Sequence, residues 1–95
     1  MGRAMSPRCK KPRRCGCRFI GKAFKPTGIP LSDVEQIPLS RDELEVLRLC
    51  DRDDLTQEEA GERMGVSRGT VQRILAAARR KTARALTEGK AIVFQ

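Results

Sequence analysis

The sequence has no histidine, no tryptophan and no tyrosine, and only three phenylalanines. The missing histidine removes the commonest general base and the commonest neutral metal ligand. An enzyme is therefore the least expected class. The shortage of aromatic rings weakens any reading as a single-strand nucleic-acid binder, because such proteins stack bases on aromatic side chains. No apolar run approaches the roughly 20 residues that a membrane-spanning helix needs, so no membrane partner is expected. The first 18 residues are polar and basic and lack the apolar stretch of a secretory signal. The expected location is the cytoplasm, where cysteines are thiols or metal ligands rather than disulfides. A chain of 95 residues makes one small domain, burying roughly two-thirds of its unfolded surface, with little room for a deep cleft beside a core.

Acid is missing from two stretches. Residues 1–30 carry nine basic groups and no carboxylate, whereas the remaining residues carry eleven basic and twelve acidic groups. The net charge of +8 is thus the charge of an N-terminal arm. Within the remainder, Arg63 to Arg84 holds seven basic groups and again no acid. Segregated basic blocks favour a polyanionic partner over a merely solubilising surface, which mixes signs.

The arm, residues 1–18, has neither helical nor strand periodicity, and by itself predicts no packed structure. Residues 19–95 form the expected domain. Phe19–Phe24 reads as a short strand, followed by the turn signal Lys25-Pro26-Thr27-Gly28. Leu31 to Pro38 reads as a connector without assigned structure. Three helix starts follow. Ser40 with Glu43 makes a capping box flanked by Leu39 and Leu44, and this helix is expected to end near Cys50. Thr56 with Glu59 makes a second box, for a short helix ending at Met64, with Gly65 placed to stop it in the left-handed conformation. Ser67 caps a third, longer helix that carries Val71, Ile74, Leu75 and Ala78 at helical spacing and stops at Gly89. Ala91–Phe94 reads as a strand that pairs with Phe19–Phe24 or with a partner chain.

The segment Thr56 to about Ala78 has the logic of a helix-turn-helix. Ala60 and Gly61 are small where two helices touch, Gly65 permits the turn, Val66 is placed to plug the corner, and Val71 and Ile74 anchor the second helix. The opposite face of that helix is then free for a DNA major groove. It carries Arg68, Thr70, Gln72 and Arg73, with Gly69 allowing close approach. Arginine bonds guanine bidentately, glutamine bonds adenine, and threonine reaches phosphate or a thymine methyl. Ser67 and the first-turn amides suit a phosphate. Arg79, Arg80, Lys81 and Arg84 lie farther along, as expected backbone contacts or a solvated face. Arg8, Lys10, Lys11, Arg13, Arg14 and Arg18 are the expected phosphate contacts of the arm. Glu58, Glu59 and Glu62 read as carboxylates that favour a helix N-terminus, not as catalytic groups.

These residues carry a resemblance. Gln57–Leu75 resembles the region 4 helix-turn-helix of bacterial sigma factors. Phe24 to Val93 resembles the UPF0251 (DUF134) family of small prokaryotic proteins, through Phe24-Lys25-Pro26-x-Gly28, Leu39-Ser40-x-Asp42-Glu43-Leu44-Glu45-x-Leu47-Arg48-Leu49 and Leu55-Thr56-Gln57-Glu58-Glu59-Ala60. Val66-Ser67-Arg68, Ile74-Leu75-x-x-Ala78-Arg79-x-Lys81 and Glu88-Gly89-Lys90-Ala91-Ile92 complete the match. The resemblance implies a predicted DNA-binding function and no defined target. Gly61 and Gly69 are smaller than the residues usual in that pattern.

Cys9, Cys15, Cys17 and Cys50 leave two readings open. They are either a thiolate site for zinc or another metal, lacking the usual knuckle spacing, or free thiols with Cys50 a small core residue. No other cofactor is expected. The resulting expectation is a mainly α domain of three or four helices, sigma-region-4-like, with a short terminal β ribbon. It would bind double-stranded DNA sequence-specifically as a transcriptional regulator, with a homodimer formed through the last helix or the terminal strand. The alternatives are a module docking on RNA polymerase or other parts of the transcription machinery, and nucleic-acid binding through the basic arm under metal or redox control.

Overall fold

The computed structural model describes residues 22–95. The arm and the first residues of the expected Phe19–Phe24 strand lie outside them. The described chain runs β1 (Ala23–Phe24), a single 3-10 turn (Leu31–Asp33), β2 (Gln36–Leu39), α1 (Arg41–Val46), α2 (Gln57–Met64), α3 (Arg68–Glu88) and β3 (Ala91–Phe94). Helices dominate, and a small sheet covers one end.

Among the described residues that sheet has three strands, not two. β3 is central, antiparallel to β1 and parallel to β2. Ala23 faces Val93 and Phe24 faces Ile92, so the terminal strand pairs within the chain. Ile37 lies opposite Ile92, and Leu39 opposite Phe94. The stretch expected to be a connector thus supplies an edge strand. Its burial alternates, with Ile37 and Leu39 inside and Gln36 and Pro38 outside. The carbonyls of Glu35 and Leu39 accept from Ala91 and Gln95. Pro38, of opposite phase, therefore turns its missing N–H to the open edge, where proline is tolerated. A two-stranded ribbon would be marginal on its own; the third strand and the helices beneath supply the packing.

α1 begins as its capping box dictates. The Ser40 amide donates to Glu43 Oε1 at 2.9 Å and the Glu43 amide to Ser40 Oγ at 3.1 Å. The helix does not stop at Cys50. From Leu47 to Arg52 it widens into a π-helical turn, in which the Asp53 amide reaches back to the Arg48 carbonyl. The chain leaves this turn through Asp54, at φ 64°. The wider turn lets the consecutive residues Leu49 and Cys50 both be buried.

Two hydrophobic clusters share α3. Val71 and Leu75 pack with Val46, Leu49, Cys50 and Ala60. Ala78 and Ala85 pack with Ile37, Leu39, Ile92 and Phe94. Leu47 touches both clusters. The first half of α3 is thus anchored by branched side chains against helices, and the second half by alanines against the sheet.

Candidate nucleic-acid interface

α2 and α3 are joined by Gly65, Val66 and Ser67. The capping box at α2 is complete, with the Thr56 amide donating to Glu59 Oε1 at 2.8 Å and the Glu59 amide to Thr56 Oγ1 at 3.1 Å. Gly65 ends α2 at φ 73°, ψ 30°, a conformation glycine adopts without steric cost. The corner closes differently from the expected apolar plug. Val66 remains 37% exposed. The closure is made by backbone instead: the Val66 amide donates to the Gly61 carbonyl at 2.9 Å. A Cβ at Gly61 would lie 2.6 Å from the Val66 carbonyl oxygen. Gly61 is small because the chain passes directly over it, a reason invisible in the sequence.

Ser67 caps α3 by accepting from the Thr70 amide at 3.1 Å. Its hydroxyl also meets Thr70 Oγ1 at 3.0 Å, and Arg73 Nη2 donates to Thr70 Oγ1 at 3.2 Å. A short polar chain from Ser67 through Thr70 to Arg73 therefore holds the arginine along the first turns of the helix. Val71 is fully buried on the other side, which fixes the rotation of α3 and leaves Arg68, Gly69, Gln72 and Arg73 exposed. Arg68 and Gln72 have no hydrogen-bond or ion-pair partner among the described residues. The spacing of 68, 72 and of 69, 73 puts these residues on one side of the helix.

The cations farther along are arranged otherwise. Arg79 forms a two-pronged pair with Asp51, Nη2 to Oδ1 at 2.6 Å and Nε to Oδ2 at 3.1 Å. That guanidinium holds the Asp51 carboxyl below its ordinary value, against a smaller opposing effect of burial. Lys81 donates to Glu43 Oε1 and to the Pro38 carbonyl, both at 2.9 Å. Burial pushes the Glu43 carboxyl up, but Lys81 and the Ser40 backbone and hydroxyl donors outweigh it and leave it below the ordinary value. Arg84 bridges Glu35 at 2.8 Å and Glu88 at 3.2 Å. Lys90 reaches the other oxygen of Glu35 at 2.8 Å, and these two cations lower the Glu35 carboxyl through the hydrogen bonds they donate. Of the four cations expected along this stretch, Arg80 alone has no such partner among the described residues. Arg79, Lys81 and Arg84 serve first to tie α3 to α1 and the sheet. Apart from Glu88, one turn beyond Arg84, their partners lie 28 to 49 residues away in the chain, so no local signal could have announced them.

Cys50 lies in the core at 9% exposure. Burial pushes its thiol up, with Asp51 adding to the effect and Arg79 opposing it. This disfavours the thiolate that a metal requires. Cys9, Cys15 and Cys17 lie outside the described residues, as do Arg8, Lys10, Lys11, Arg13, Arg14 and Arg18. Among the described residues no three histidine, cysteine or acidic side chains gather as a metal site would need, and no helix is long and apolar enough to cross a membrane.

The class these features define is a small, mainly α domain with a helix-turn-helix arrangement of α2 and α3 and a three-stranded sheet. A family model described as "Protein of unknown function DUF134" matches residues 1–95. The chain belongs to that family. Its relatives are named UPF0251 proteins. One from Halothermothrix orenii is 54% identical over 72 residues, covering 76% of this chain and 53% of the relative. One from Vibrio vulnificus is 50% identical over 88 residues, covering 93% of this chain and 88% of the relative. A third, from Desulforudis audaxviator, is 48% identical over 94 residues, covering 97% of this chain and 57% of the relative. The chain thus spans little more than half the length of two of these relatives and most of the third. No solved structure matches.

Proposed function

We propose that this chain binds double-stranded DNA and reads its sequence with the first turns of α3, as a transcriptional regulator. One observation carries the reading. Arg68, Gln72 and Arg73 stand exposed on one side of a helix whose opposite side is locked into the core, and no carboxylate among the described residues neutralises them. Elsewhere on the same helix, Arg79, Lys81 and Arg84 are paired with acids. An unspent arginine beside a glutamine suits guanine and adenine edges in a major groove. The Ser67–Thr70–Arg73 chain supports it further, because a held arginine loses less freedom on binding. Arg80 and the basic arm would add phosphate contacts.

A homodimer would double the short site that one module covers. β3 has no free edge to lend, since both its sides are paired. A second copy would therefore use α3, where Leu86 is 77% exposed. The remaining parts of the reading, a cytoplasmic protein without enzymatic activity, rest on the missing histidine and the missing apolar segments.

The test is duplex-DNA affinity across a salt series, on random-sequence DNA and on fragments selected from genomic DNA. The expected result is a steep fall with salt and a preferred fragment bound about a thousandfold tighter than random DNA. Absence of binding at low salt would defeat the proposal and favour a protein partner for the same helix.

A further inference from the structure

Four of the five glycines in the described chain have a reason inside the protein. Gly28, Gly65 and Gly89 take positive φ angles, and a Cβ at Gly61 would strike the backbone at Val66. Gly69 has none of these reasons. Its backbone is helical, and a Cβ there would meet only Ser67 Oγ, at an ordinary 3.9 Å. Gly69 is the second residue of α3, where glycine is no better a helix former than alanine, so nothing in the free chain rewards its presence. It stands on the exposed side of α3, next to Arg68 and one turn before Gln72 and Arg73.

We infer that Gly69 is the point at which the duplex comes closest to α3, and that partner atoms occupy the space its missing Cβ leaves. The inference rests on the reading of α3 as a groove-reading helix and sharpens it. Around the helix, Arg68 and Gln72 lie to one side of this bare position and Arg73 to the other. Short reach at Gly69 lets α3 sit deep enough for the shorter Gln72 to touch base edges. A methyl group would lift the helix by a fraction of its own diameter and lengthen those hydrogen bonds, which weaken steeply with distance and angle. The glycine is thus a specificity-setting residue that acts through what it omits.

Gly69→Ala in the full chain separates the two effects. The thermal midpoint should rise by about 2–5 °C, because the free helix gains propensity. Affinity for genomically selected fragments should fall by about tenfold or more, and Gly69→Gln should weaken it further. Random-sequence duplex DNA, held through phosphates, should lose less. An alanine variant that is more stable and binds the selected fragments as well as the wild type would overturn the inference. A lowered midpoint would also overturn it, by showing that the fold itself needs the glycine. If the wild-type chain binds no duplex, the fault lies in the proposed function and this inference falls with it. The wild-type control identifies that outcome before any variant is measured.

Discussion

The two halves of α3 use the same kinds of residue for opposite purposes. In the first half, Val71 and Leu75 are buried against helices while Arg68 and Gln72 face outward without partners among the described residues. In the second half, Ala78 and Ala85 are buried against the sheet while Arg79, Lys81 and Arg84 are tied back to Asp51, Glu43 and Glu35. Counting charge along the chain makes Arg63–Arg84 one basic block. Tracing the cations to their neighbours divides it in two, with Arg80 the exception in the second half. A basic residue signals an anionic partner only when the protein has not already supplied the anion.

The largest effects should come from the two clusters. Phe94→Ala in the sheet cluster and Leu75→Ala in the helical cluster should each lower stability by about 2–5 kcal/mol in urea unfolding. One shared transition in both variants is expected, because Leu47 and α3 belong to both clusters. If Phe94→Ala instead melted the sheet while the helices stayed folded, the halves would be independent units and the comparison would become one of two folds.

Arg68→Ala sharpens the comparison on the binding side. It should relax discrimination between DNA sites by about 1–3 kcal/mol and leave the urea midpoint unchanged. Equal losses on selected and random DNA would remove Arg68 from the base readers. Arg79→Ala should do the reverse. Its exposed pair with Asp51 is screened by water and should contribute little to stability, and site discrimination should survive. A reduced salt slope in the Arg79 variant would show that the arginine leaves Asp51 for phosphate when DNA arrives, and the division of the helix would then hold only in the free protein.

The smallest effect concerns pH. Glu43, Asp51 and Glu35 all have carboxyls held below their ordinary values. A depressed carboxyl contributes stability that is fully present above its unfolded pKa and is lost as pH falls through the lower folded value. Stability should therefore decline on the acid side, below the ordinary carboxylate range of about 4. Glu43→Gln should flatten that decline by removing one titrating group, since Glu43 sits between Lys81 and the Ser40 cap. An unchanged acid limb in thermal melts at successive pH values would mean that the Lys81 tie adds nothing to the fold.

Much was legible because it is local. The three caps at Ser40, Thr56 and Ser67 and the stops at Gly65 and Gly89 lie where side-chain chemistry three residues apart dictates. The outward side of α3 followed from the periodicity of Val71, Leu75 and Ala78. Three features differ from the sequence expectation, each for its own physical reason. β2 was hidden by Pro38, since a proline within four residues argues against a strand until the open edge is known. The π-helical turn Leu47–Arg52 that follows α1 escapes the sequence reading, because such a turn leaves no mark in sequence period. Val66 was given a buried role that the backbone contact over Gly61 performs instead.

The sequence by itself determined where the helices begin, where α2 and α3 end, which side of each is apolar, and that two stretches lack acid, because capping and periodicity act over a few residues and charge is simply counted. Tertiary structure alone decided that β3 lies between two partners, that Gly61 sits under a passing chain, and which arginines remain unpaired. Those outcomes depend on contacts between residues as many as 49 positions apart, and proximity of that kind exists only once the chain has folded.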